Sequence, residues 1–448
     1  MVPDTTRYLF IAHALEGAGG FRPKVWTDKD GLNPKLSGPS YLVRYPRESA
    51  EKFARRNEVA WYRNFLKPAC IRFAGYLAKK PPRRTVDHPL LDRMAADCDW
   101  QGNSLDVFWS AFAVEAKARG SMLLLVDMPK AVPLDRASQI EQRAYPYLVP
   151  IKPELVVDYT LNVQGLFESV AIASTAEYQG QTIDVWRVWD TVEWRVQRPG
   201  ENGEVLENGD HGLGVCPVLA FTESGVFPHY GDFEQIAVLS RRYFNAASER
   251  DEILRGQTFS LLTYQIPPEA PPADLASVTE TVGTSNMLIH NGDTPAFIAP
   301  PDGPATIYNE VIAGLEETIR RIAMTVEQPT QAESGVALTI RFQELNSALT
   351  SFARRMEDLE RRMWDLACRW LGIQNRTESV WPKSFELADV GQELTVLQQM
   401  QTSGFPDAVI REGMKTVAGL QFATAEPETM DAMIVAIDEA TLQTGVSA

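Results

Sequence analysis

This 448-residue chain is poor in the groups that usually announce chemistry. Its four cysteines, Cys70, Cys98, Cys216 and Cys368, form no Cys-x-x-Cys pair, so neither a disulfide framework nor a zinc site is expected. The five histidines, at 13, 88, 211, 229 and 290, stand far apart, and none has a partner three or four residues away as a zinc-protease helix requires. Glycine is never followed by lysine, which removes the Walker A loop, and no Gly-x-Ser-x-Gly elbow offers a hydrolase nucleophile. No apolar run approaches the roughly 18 residues of a membrane span. The start, "MVPDTTRYLFIAHALEG", interrupts its short apolar patch with His13 and is not read as a secretion signal. These absences predict a protein without catalytic residues, metal or cofactor, and not an enzyme.

The composition is that of a globular protein, 44% hydrophobic and 23% charged, with a net charge of −16. The charge is unevenly placed. Residues 44–84 carry 12 Lys+Arg against 3 Glu, whereas residues 373–448 carry 4 against 11 Asp+Glu. Aromatics interleave with the basic run (Phe53, Trp61, Tyr62, Phe65, Phe73, Tyr76), a pattern open to two readings. Either the run touches nucleic acid, or it forms two amphipathic helices with aromatics inward and arginines toward water or acidic neighbours.

Hydrophobic periodicity divides the chain. The first 40 residues, rich in Gly, Pro and Asp, read as an irregular arm. Helices are expected over residues 48–65 and 69–77, with Pro68 as a break, and from Ser104 to a stop at Gly120. Strand signals follow in "SMLLLVDM", "YLVPIKP", "ELVVDY", "TIDVWRVWD" and "TVEWRVQR", with "GENGEV" as a turn and "GLGVCPVLAF" as the close. The fold class expected is α+β, predominantly helical, with an antiparallel meander in the middle third.

After residue 230 long helices dominate. One spans 231–256. A Pro/Gly-rich αβ module, 257–304, separates it from a second over 305–326, whose Tyr308, Ile312, Leu315, Ile319, Ile322 and Val326 recur in steps of four and three. The polar loop "EQPTQAESG" intervenes, and then a stripe of Leu338, Phe342, Leu345, Leu349, Phe352, Met356, Leu359, Met363, Leu366 and Trp370 runs about 50 Å along one helix. A returning strand is expected in "SVWPKSFELAD", and three helices, around 391–402, 405–414 and 428–441, finish the chain.

In "YLVRYPRESAEKFARRNEVAWYRNF" with "AGYLAKKPP", in "GLGVCPVLAFTESG", and in "SGVALTIRFQELNSAL" behind the polar loop, the chain resembles the portal proteins of tailed bacteriophages. The order of parts carries the resemblance over roughly residues 41–372. It implies an N-terminal arm (1–40), a wing (41–230, with a return strand in 373–390), and two stem helices (231–256 and 305–326) flanking a clip (257–304). A tunnel loop (327–335), a long tunnel helix (336–372) and a crown (391–448) complete it. In the tunnel loop Glu327, Gln328, Thr330, Gln331 and Glu333 would face DNA, with Pro329, Ser334 and Gly335 as hinges. In the clip Pro267, Pro268, Glu269, Pro271, Asn291 and Asp293 would form the docking surface. The implied partners are further copies in a twelve-subunit ring, double-stranded DNA passing without sequence preference, the terminase large subunit, a head-tail adaptor, and the major capsid and scaffolding proteins. The implied place is the portal vertex of a virion, assembled in host cytoplasm, with no membrane. An acidic lining suits a duct for a polyanion, and residues 301–360 hold 10 Asp+Glu against 5 Lys+Arg. Two alternatives are a nucleic-acid-processing enzyme using residues 44–84, and a coiled-coil scaffold or other capsid-associated structural protein.

Overall fold

The computed structural model describes residues 4–27, 33–129, 140–258, 261–265, 287–290, 297–298, 303–324, 335–385, 390–422 and 427–440. The chain divides into two compact units, Met1–Ser384 and Phe385–Ala448.

The first unit is mixed helix and sheet. Its N-terminal segment is not irregular, contrary to the expectation from glycine and proline content. Helix α1 (Thr5–Glu16) is capped by the Asp4 carboxylate accepting from the Thr6 N–H, and it ends at Gly17 in the left-handed region. It buries Tyr8, Ile11, Ala12 and Leu15, and the chain beyond it forms a small ribbon of β1 (Lys24–Trp26) and β2 (Lys35–Ser37). Hydrogen bonds fix α1 to distant segments: Tyr8 Oη donates to His229 O at 2.8 Å, Tyr62 Oη to Ala14 O at 2.9 Å, and Asn64 Nδ2 to Leu15 O at 2.8 Å.

Helix α2 (Ala50–Val59) is shorter than the basic run suggested, and α3 (Leu66–Ala78) begins before Pro68. Pro68 sits in the first turn, where its missing N–H would have had no intrahelical partner, so it starts a helix rather than breaking one. Strand β3 (Arg83–Thr85) and α4 (Pro89–Ala96) lead to α5 (Leu105–Arg119), which ends at Gly120 as its sequence required. At Gly120 φ is +76°, and a Cβ there would fall 1.9 Å from the Gly231 nitrogen, so only glycine permits this approach.

The meander is present and larger than expected. Strands β6 (Val156–Leu161), β7 (Phe167–Tyr178), β8 (Gln181–Trp189), β9 (Glu193–Gln197) and β10 (Val205–Asp210) pair antiparallel in sequential order. Strand β7, the longest, had no strand reading because "FESVAIASTAEY" mixes small and polar residues. A second sheet joins β4 (Ser121–Asp127) and β5 (Tyr147–Ile151) to β11 (Val218–Thr222) in the order β11-β4-β5. Leu123, Leu125 and Ile151 from this sheet share one core with Tyr159, Phe167, Val170 and Trp189 from the meander.

All four cysteines are free and buried. Burial pushes the thiols of Cys98 and Cys216 up to about 12 and that of Cys368 up to about 11. The reactive thiolate is therefore scarce at neutral pH. The native chain is expected to leave a thiol-exchange reagent unreacted near pH ~8, and the unfolded chain to release all four equivalents. A fast equivalent in the native protein would contradict this packing.

Candidate functional site

Beyond the body, helix α6 (Glu234–Thr258) runs out and α7 (Gly303–Ile322) runs back. Their direction follows from their contacts. Tyr308, near the start of α7, donates from Oη to Glu249 near the end of α6, while Ile312 and Leu315 share a buried cluster with Tyr243, Ala246 and Ala247. Alanines at 246 and 247 let the backbones approach, and Phe65 and Leu239 seal the cluster's flank. Each fully buried Leu or Ile here contributes about 1.5–3 kcal/mol, which neither helix could recover alone in water. The hydrogen bond to the Glu249 carboxylate, with burial second, pushes the Tyr308 phenol up to about 12.

The pair is rooted by charge. Arg7 pairs with Glu234 in the first turn of α6, and Arg63 pairs with Glu316 on α7. Helix α7 ends at Ile322, earlier than the periodicity through Val326 implied: Met324 N–H bonds to Arg321 O, and Met324 has φ +51°. On its outward side Ile307 and Val311 are exposed beside the exposed Glu310 and Glu317.

At the outer end of this hairpin lies a small sheet of β12 (Leu261–Gln265), β13 (Met287–His290) and β14 (Phe297–Ile298). Strand β12 is central, parallel to β13 and antiparallel to β14. These strands lie within the Pro/Gly-rich module expected over residues 257–304. The clip residues Pro267, Pro268, Glu269, Pro271, Asn291 and Asp293 lie outside the described residues. So do Glu327, Gln328, Pro329, Thr330, Gln331, Glu333 and Ser334, while Gly335 is the first residue of the next helix.

That helix, α8 (Gly335–Leu371), carries the long stripe. Leu338 and Phe342 lie where only its backbone is described. From Leu345 through Leu366 every stripe residue is buried. The covering groups belong to this chain: Phe352 meets Phe73 and Phe221 with ring centres 5.4 and 4.9 Å apart, and Trp370 Nε1 donates to Val126 O at 2.8 Å. Over this length the seam is consumed within the chain, which leaves no free coiled-coil surface there.

Sequence reasoning missed how α8 is anchored. Strand β15 (Glu378–Val380) returns and pairs antiparallel with β3. Above this ribbon the fully buried Glu360 accepts from Arg84 Nε, from Ser379 Oγ at 2.8 Å and from Trp381 Nε1 at 2.8 Å. Arg84 also reaches Asp106 at 2.6 Å. Much of the basic run is likewise turned to internal partners. Arg56 is buried against Glu48 with bonds of 2.9 and 3.0 Å, and Lys52 lies 3.7 Å from Glu252. Glu360 and Glu316 are accordingly withdrawn from any acidic lining of residues 301–360.

Beside α8, a cavity of about 590 Å³ opens against β11 and the β6–β7 turn. Among the described residues no group of His, Cys, Asp and Glu side chains is placed to hold a metal ion, and no described helix is long and apolar enough to cross a membrane. The second unit is built from α9 (Val390–Thr402), α10 (Asp407–Gln421) and α11 (Pro427–Glu439). Leu397 and Ile410 are buried in it, Gly413 lies against Leu397, and Lys415 bridges Glu412 and Asp438 at 3.1 and 2.7 Å.

No protein-family model matches this chain, and no curated protein matches it. Solved structures similar to it include a chain from the "virion of native gene transfer agent (GTA) particle", 13% identical over 89% of this chain and 96% of that one, at a TM-score of 0.42. A chain from the "neck of empty GTA particle computed with C6 symmetry" is 12% identical over 75% and 85%, at 0.39. A chain from the "neck of native GTA particle computed with C12 symmetry" is 13% identical over 83% and 89%, at 0.38.

Proposed function

We propose that this chain is a portal-type structural protein: it forms a ring at one vertex of a phage-like capsid, and double-stranded DNA enters and leaves through the hole. The observation that carries the reading is the antiparallel α6–α7 hairpin, rooted in the body, holding a separate small sheet at its far end and followed in the chain by the 37-residue α8. A body, a stalk and a distal module in that order are what a ring subunit needs if it is to dock partners at one end while packing sideways on its neighbours.

In this reading α6 and α7 are the stem and the module over 257–304 is the clip, a docking surface for the terminase motor and afterwards for the head-tail adaptor. Residues 327–335 are the tunnel loop, and 391–448 the crown. Capsid and scaffolding proteins meet the outer wing, twelve copies close the ring, and the assembled place is the virion vertex. The exposed Ile307 and Val311 give α7 an apolar face for a neighbour, and the two stem helices, with nearly equal numbers of acidic and basic residues, offer a passing duplex little net attraction. Hydrolysis of ATP belongs to the motor. The basic run supports a nucleic-acid enzyme poorly, because Arg56 and Arg84 serve internal carboxylates.

The test is negative-stain imaging of the purified full chain across several salt concentrations. Rings with a central hole are expected. Uniformly small particles under every condition would reject the proposal.

A further inference from the structure

The cavity beside α8 has a regular charged wall. Arg355, Asp358, Arg362, Asp365 and Arg369 follow one another in steps of three and four, which places them on one line of the helix next to the buried apolar seam. The two aspartates are already engaged: Asp358 with Arg361 at 2.7 Å and Arg362 at 3.1 Å, Asp365 with Asn375 Nδ2 at 2.7 Å and Arg361 at 3.6 Å. Two of the arginines are not balanced in the same way. Arg362 is held from two sides, its Nε 3.1 Å from Asp358 and its Nη2 donating to Ala220 O at 3.0 Å, and burial pulls this guanidinium below its ordinary value. Arg355 and Arg369 are exposed, and neither guanidinium has a hydrogen bond or ion pair among the described residues.

Spacing selects the kind of guest. Arg355 and Arg369 are separated by fourteen residues of helix, about 21 Å, too far for one small anion to span. An extended segment covers that distance in about six residues. The chain itself exposes such a segment. Strand β10 is one outer strand of the five-stranded sheet; Glu207 and Asp210 on it and Glu204 just before it are exposed, Glu204 carrying Arg198 at 3.0 Å, and Val205 is half-exposed between them. From Glu204 to Asp210 the rise is about 20 Å. In a chain of net charge −16, arginines without a partner among the described residues, beside a cleft of mixed polar and apolar lining, find their complement most readily in another copy.

We infer that the arginine-lined cleft on α8 receives the acidic β10 edge of a second copy of this chain. Cleft and edge are different surfaces, so the contact is head-to-tail and propagates from subunit to subunit. It rests on the ring reading and adds to it the side chains that set the register between neighbours.

The experiment compares the wild-type chain, Arg355→Glu/Arg369→Glu, Glu204→Lys/Asp210→Lys, and the combination of all four, by mass photometry and imaging. Both arginines are exposed, so the variants should keep the wild-type near-ultraviolet spectrum. Each half-reversed variant is expected to need about tenfold more protein to assemble, and the combined variant to recover. A mixture of Arg369→Cys and Asp210→Cys chains is expected to cross-link between copies, since the native thiols are buried. If the wild type forms rings, and the reversed variants do so equally well or the combination fails to recover, the contact is wrong while the ring stands. Binding of inorganic phosphate that is lost in Arg355→Glu/Arg369→Glu with assembly unchanged would likewise overturn the contact. A wild type that never assembles overturns both.

Discussion

Glu360→Ala is expected to destabilise the first unit by about 3–5 kcal/mol, the usual consequence of removing one partner from a buried, hydrogen-bonded ion pair. The carboxylate is fully buried, and its loss takes the acceptor from three groups at once: Arg84, which keeps only the exposed Asp106, the Ser379 hydroxyl and the Trp381 indole N–H. Ser379 in turn accepts from Trp364 Nε1 at 3.0 Å, so the defect spreads to the largest fully buried side chain of α8. Denaturant unfolding followed by tryptophan fluorescence suits the question, because Trp364 and Trp381 report from within the cluster. Arg84→Met/Glu360→Met should recover only part of the loss, since Trp381 Nε1 and Ser379 Oγ would still lack their acceptor. An unchanged midpoint for Glu360→Ala would show that the ribbon of β3 and β15 holds α8 without this carboxylate.

The same cluster shows what a linear reading can reach. The α8 stripe was legible because one face of a helix repeats every three to four residues, and burial from Leu345 to Leu366 follows that repeat. The strand after α8 was legible as a strand, but its partner was not: β3 lies almost three hundred residues upstream, and nothing local in "RRT" names "ESV". Arg84 read as one member of a basic run, although its surroundings make it the counter-ion of Glu360. Helix α1 was overlooked for a different reason. Its Asp4 cap, its apolar Tyr8, Ile11, Ala12 and Leu15 and its stop at Gly17 were all present, but the glycines and prolines after it dominated the composition of the segment. Strand β7 has no strong alternation, because its neighbours β6 and β8, rather than its own side chains, define it. The charged line from Arg355 to Arg369 was readable at the same spacing as the apolar stripe. Spacing alone does not mark it, because charges on a helix usually mean only a solvated face.

Deleting Gln328 to Ala332 is expected to leave ring assembly intact and to reduce the yield of DNA-filled particles several-fold. Helix α7 ends at Ile322 and α8 begins at Gly335, so twelve residues connect them and seven would remain. Seven residues still reach about 23 Å when extended, and the shorter connection changes the closure free energy by only about 0.5 kcal/mol. Among the described residues, the α6–α7 cluster and the buried stripe of α8 from Leu345 onward are built from side chains outside the deleted segment, so folding and ring formation should survive. What is removed is the polar stretch proposed to line the hole. Glu327 and Glu333 remain in the shortened chain, and the acidic sign of the lining is kept while its reach is cut. Imaging of the purified variant scores assembly, and the ratio of filled to empty capsids scores packaging and retention. Rings that form and package as the wild type does would remove the segment from the DNA path. Loss of rings would show instead that the connection is a structural strut, and the assignment of residues 327–335 as a mobile tunnel element would fall.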